Sequence, residues 1–83
     1  PYNDIDVYLM QQQKLDDAIP WLERAKNAKR YEPRHFPYIN LGRVYLTKGM
    51  IQKALQEFGS ALEINPGDTE LAKLTEELKR KLQ

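Results

Sequence analysis

The sequence predicts an all-α fold of five helices, and three observations carry that expectation. Apolar residues recur at helical spacing at Leu15, Ala18, Ile19, Leu22 and Ala25, so one face of this segment is apolar. The same spacing returns at Ile51, Ala54, Leu55, Phe58 and Ala61, 36 residues further along, with both alanines repeated. That recurrence is an internal repeat. No stretch of the chain shows the alternating apolar–polar pattern of a strand.

Taken in order, the first helix rests on the weak stripe Tyr2, Ile5 and Leu9 and is expected to stop near Gln12-Gln13-Lys14. The second carries the Leu15–Ala25 pattern. Asp16 and Asp17 suit its start, because a carboxylate there can cap free amides and complement the positive end of the helix dipole. Pro20 is then tolerable close behind an Asp17 cap, since the first amides of a helix have no partners inside it. Tyr38, Leu41, Gly42 and Tyr45 share one face of the third helix, which ends near Thr47-Lys48-Gly49, where glycine suits a left-handed cap. The fourth carries the repeated pattern from Ile51 to Ala61. The fifth begins after Asn65-Pro66-Gly67-Asp68, with Asp68 as its cap and basic residues crowding its far end.

Composition excludes several classes of function. The 83 residues carry 13 basic against 12 acidic side chains, a net +1, too even for a general attraction to nucleic acid or anionic membranes. No apolar run approaches a membrane span and no signal-peptide pattern opens the chain. With no cysteine there is no disulfide and no thiolate ligand or nucleophile. These features favour a cytoplasmic setting without membrane insertion.

Catalysis finds no constellation to work with. The one histidine, His35, stands between Pro33 and Pro37 with no orienting carboxylate evident. The four glycines are dispersed rather than gathered in a phosphate loop, and no ligand spacing suggests a metal. The reading is a non-enzyme without cofactors.

Residues 35 to 68 resemble one complete tetratricopeptide repeat, a helix–turn–helix unit of about 34 residues. The family places a large residue, leucine, glycine and an aromatic on its first helix, matched here by Tyr38, Leu41, Gly42 and Tyr45. A small residue, an aromatic, a second small residue and a closing proline follow, matched by Ala54, Phe58, Ala61 and Pro66. Residues 1 to 34 resemble a degenerate copy. Asp6 stands where a small residue belongs, Gln13 where glycine is usual, and Pro33 falls three residues late, as if the second helix ran on by almost a turn. Residues 69 to 83 read as a capping helix. Leu71, Leu74, Leu78 and Leu82 form one narrow stripe, while Thr75, Glu76 and Lys79 occupy the faces a following helix would need, as at the end of an array. The resemblance implies a single domain, 1–83, built as a right-handed α-solenoid of antiparallel helix pairs.

It also implies a function. In such arrays the first helix of each repeat lines a concave groove that takes a peptide or helix of a protein partner. The corresponding residues are Asn3, Asp4, Val7 and Gln11, then Phe36, Ile39, Asn40, Arg43 and Thr47, then Glu70, Lys73, Glu77 and Lys81. Family members that clamp a partner's C-terminal carboxylate use lysine, asparagine and arginine at set positions. Only Asn40 matches, and Phe36, Glu70 and Leu74 stand where the remaining basic residues belong, so that clamp is not expected.

Two alternatives accompany the groove. Tyr2, Ile5 and Tyr8 give the first helix an uncovered edge suited to self-association as a homo-oligomer. Arg24, Lys26, Lys29, Arg30 and Arg34, opposed by Glu23 and Glu32, form a basic run near Tyr31 that could touch nucleic acid. Cations at the negative end of a helix dipole explain that run more simply. Trp21 is expected to pack against Phe36 or Pro37; exposed, it would be a candidate interface anchor.

Overall fold

A computed structural model describes residues 2–27 and 34–82, with side chains described from residue 11 onward. Among the described residues four helices follow one another: α1 (Tyr2–Lys26), α2 (Phe36–Thr47), α3 (Ile51–Ile64) and α4 (Thr69–Leu82). The described residues are helical or in turns, with no strand among them. α2 lies between α1 and α3, and α3 packs in turn on α4. The result is an open stack of helices. Its Cα radius of gyration is 14.2 Å, above the about 12 Å of a compact chain this long.

The helix count corrects the expectation of five. The first two expected helices are one continuous 25-residue helix, α1. A comparison one repeat apart gives the reason. α2 ends in a paired-amide cap: Gly49 N–H donates to Leu46 O at 3.0 Å, and Met50 N–H to Tyr45 O at 2.8 Å. That cap requires a left-handed residue, and Gly49 supplies it with φ of 80°. The residue 36 positions earlier is Gln13, for which the same backbone would be strained. Gln11, Gln12, Gln13 and Lys14 are all good helix formers, so the helix continues through them. Asp17 and Pro20 consequently lie inside α1 and not at a helix start. Pro20 removes one amide from the ladder without ending the helix. The expected lengthening toward Pro33 falls outside the described residues.

The core is small and centred on the α2–α3 pair. Leu41, Ala54, Phe58 and Ala61 are fully buried, joined by Tyr45, Leu71 and Leu78. Ile19 and Leu22 of α1 pack against this cluster from one side, and Leu74 of α4 from the other. Gly42 of α2 packs directly against the Phe58 ring of α3. A Cβ there would lie 2.3 Å from Phe58 Cε1, so only glycine leaves room for the ring.

Polar contacts fix the neighbours of this pair. Lys26 of α1 reaches Glu57 of α3, with Nζ 2.9 Å from Oε1 and a 3.2 Å hydrogen bond to Oε2, and lies over the Tyr38 ring. Lys48, just past α2, pairs with Asp16 of α1. These two ties set α1 antiparallel to α2, and that register carries the N-terminal part of α1 beyond the end of α2. Asp68 caps α4 as expected, its Oδ1 accepting the Leu71 amide at 3.0 Å.

Thr75 corrects a second expectation. It is buried instead of facing outward, and its hydroxyl donates to Leu71 O at 2.7 Å. Leu71, Leu78 and Thr75 share one helical face, so a residue between two stripe positions goes inward with them.

Candidate functional site: the cleft between α2 and α4

A cleft of about 220 Å³ opens between the exposed side of α2 and the start of α4. Ile39, Leu71 and Leu74 give it apolar walls, Phe58 closes its base, Arg43 stands on the α2 side, and Asp68 and Glu70 stand on the α4 side. Its construction follows from helix periodicity. Ile39 and Arg43 are four residues apart on α2, and Glu70 and Leu74 are four apart on α4, so each pair projects from one face. Arg43 is exposed and Ile39 half-buried, which leaves a cation beside an apolar slot opposite two carboxylates. Such an arrangement can hold an apolar side chain and discriminate the charges around it.

The expected groove residues distribute over more than this cleft. Ile39 and Arg43 are brought together in it, with Glu70. Phe36 is 53% exposed at the start of α2, its ring edge-to-face with His35 at 5.0 Å. Asn40 is exposed on α2. Thr47 donates its hydroxyl to Arg43 O at 2.9 Å and borders a second depression with Gln11, Gln12, Lys14 and Leu15. Lys73 and Glu77 line a third, along α4 with Ala72, Glu76 and Arg80. The side chains of Asn3, Asp4 and Val7 lie outside the described residues, as do those of Tyr2, Ile5 and Tyr8. Asp68, Leu71 and Leu74 were absent from the expected site. Leu71 and Leu74 read as core stripe and Asp68 as a cap, and no sequence signal marks a residue that also borders a cleft.

The remaining candidates resolve individually. His35 is engaged by Asn65, whose Nδ2 lies 3.4 Å from its Nε2. Within the basic run, Lys26 is turned inward to Glu57 and also pairs with Glu23 at 3.2 Å. Burial pulls the Lys26 pKa down, but hydrogen bonds to Glu57 and Glu23 and the attraction of their charges outweigh it, leaving the group above its ordinary value. Arg24 lies over the Trp21 ring, 4.8 Å from its centroid. Lys29, Arg30 and Tyr31 lie outside the described residues. Trp21 corrects its expectation, for it is 68% exposed. No helix among the described residues is long and apolar enough to cross a membrane.

An antiparallel helix pair closed over a glycine, flanked on both sides by further helices, has the form of a helical-repeat unit. Comparison with known families specifies which: the family model for the tetratricopeptide repeat matches residues 35–68, the α2–α3 pair with its flanking turns. Residues 35–68 are thus matched as one tetratricopeptide repeat, 34 of the 83 residues of the chain. Among curated proteins it is similar to the BBSome complex member BBS4 of Bos taurus, at 34% identity over 65 residues. That match covers 78% of this chain and 11% of the relative, so the chain spans about a tenth of that protein's length. No solved structure matches the chain.

Proposed function

We propose that this chain is a non-catalytic protein–protein interaction module, a scaffold or adaptor that holds a partner peptide or helix in the cleft between α2 and α4. The observation that carries the reading is the combination in that cleft of an apolar slot, Ile39, Leu71 and Leu74, with Arg43 and Glu70 on opposite sides. Tetratricopeptide repeats in general mediate protein–protein contacts, and the similar BBS4 is by its name a member of a complex. The fitting ligand presents an apolar anchor with an acidic residue toward Arg43 and a basic residue toward Glu70. In this reading the helices form a right-handed α-solenoid. α4 acts as its cap, because Glu76 stands 34 residues after Gly42 and denies a following helix the approach α3 makes on α2.

The test is selection from a displayed random-peptide library on the immobilised chain. Selected peptides should bind the native protein and lose binding to Ile39→Asp and Arg43→Glu, while Lys53→Glu, on α3 and outside the lining of the cleft, retains it. Circular dichroism must remain helical in all three variants. Peptides that bind both cleft variants unchanged would place the partner surface elsewhere.

A further inference from the structure

The outer face of α1 carries a feature the cleft does not use. Trp21 is 68% exposed, flanked by Ala18 and Ala25, which are only half-buried. Their repeat counterparts on α3, Ala54 and Ala61, are fully buried in the core. The α1 face therefore has the same small-residue construction that lets an antiparallel helix come close, with a large ring added at its centre. Because α1 is continuous through Gln13, its own preceding segment does not fold back over this face.

We propose that this face pairs with the same face of a second copy, two α1 helices lying antiparallel about a two-fold axis. The face is self-complementary in both shape and charge. Lys14, Ala18, Trp21 and Ala25 follow one another at intervals of four, three and four, the seam spacing of paired helices. With the axis between Ala18 and Trp21, each ring meets the alanine of the other copy, large against small. Asp17 and Arg24 are both exposed and seven residues apart, so they lie on the same flank of the seam. In an antiparallel pair, equal flanks face one another, which sets Asp17 of each copy beside Arg24 of the other. Arg24 already lies over Trp21, placing its guanidinium at the rim where that carboxylate arrives. An isologous contact of this kind closes on itself as a dimer. An exposed tryptophan ringed by charge is the composition of an interface anchor.

Sedimentation equilibrium on the 83-residue chain tests this directly. The expected mass at high concentration is twice the 9.8 kDa of the chain, with a dissociation constant in the micromolar range. Trp21→Ala should raise that constant at least tenfold while circular dichroism stays helical. Asp17→Lys and Arg24→Glu should each weaken self-association alone. Mixing those two variants should restore it, because every flank pair is then again of opposite sign. A monomer up to about 1 mM, or a dimer indifferent to Trp21→Ala and to the charge reversals, would overturn the proposal. Absence of recovery on mixing would overturn the antiparallel arrangement.

Discussion

Gly42 and Phe58 are in mutual contact such that a β-carbon on Gly42 would stand 2.3 Å from the Phe58 ring edge. Both are buried, and they join α2 to α3 at the centre of the core. Glycine in mid-helix ordinarily costs about 1 kcal/mol relative to alanine. Here the close approach outweighs that cost. Gly42→Ala should therefore destabilise the chain by about 1–3 kcal/mol despite the better helix former, as overpacked sites do. Urea unfolding checks this, and Phe58→Leu in the Gly42→Ala background should recover part of the loss.

Lys26 and Glu57 tie α1 to α3 across the edge of α2, their side chains 18% and 14% exposed. Apart from the Lys26 charge, the buried Glu57 Oε1 has no hydrogen-bond partner. Removing the ammonium with Lys26→Met should cost about 1–2 kcal/mol, more than an exposed pair, because it strands a half-buried carboxylate. A double-mutant cycle with Glu57→Gln should return a coupling near 1 kcal/mol, roughly what such pairs give.

The same pair fixes a pH dependence. Folding raises the Lys26 pKa above 10.5, so its stabilisation is complete below that value and fades as pH climbs through the folded-state value. The stability gap between the native chain and Lys26→Met should stay constant from neutrality to about pH 10 and narrow above it. Denaturant titrations at stepped pH measure the gap.

The contrast between Gly49 and Gln13 predicts opposite responses at equivalent places. Gly49→Ala would put a β-carbon on a residue with φ of 80°, and should cost about 1 kcal/mol or slightly more. Gln13→Gly should lower the helical signal of α1, since glycine disfavours the helix interior by about 1 kcal/mol and permits the cap that Gly49 forms. Circular dichroism and amide exchange at residues 11 to 15 report it.

Asp68 holds the first turn of α4 and borders the cleft. Asp68→Ala should lower stability by about 1 kcal/mol through the lost cap. It should also reduce peptide affinity, because Glu70, Leu71 and Leu74 depend on that turn for their position. Calorimetric titration of a selected peptide separates the two effects.

Much of this architecture was legible in the sequence. The recurrence of Ala54, Phe58 and Ala61 after Ala18, Leu22 and Ala25 marked the buried face of α3, and Gly49 marked the turn from α2 into α3. The break near Gln13 was misread because periodicity reports which faces are apolar, and a helix that continues preserves that periodicity as well as one that turns. Trp21 was misread for a related reason: its neighbour Leu22 faces the core, but a residue 100° further round the helix does not have to. The cleft was half visible. Ile39 and Arg43 follow from one helix face, whereas Leu71, Leu74 and Asp68 enter through the meeting of two helices, a relation that spacing along one segment does not encode.

The most direct test of the central claim is to follow backbone amide shifts of isotopically labelled protein during titration with a library-selected peptide. The account predicts the largest shifts at Ile39, Arg43, Glu70 and Leu74, and loss of binding on Arg43→Glu. Saturable binding whose shifts map elsewhere, with Arg43→Glu without effect, would contradict it.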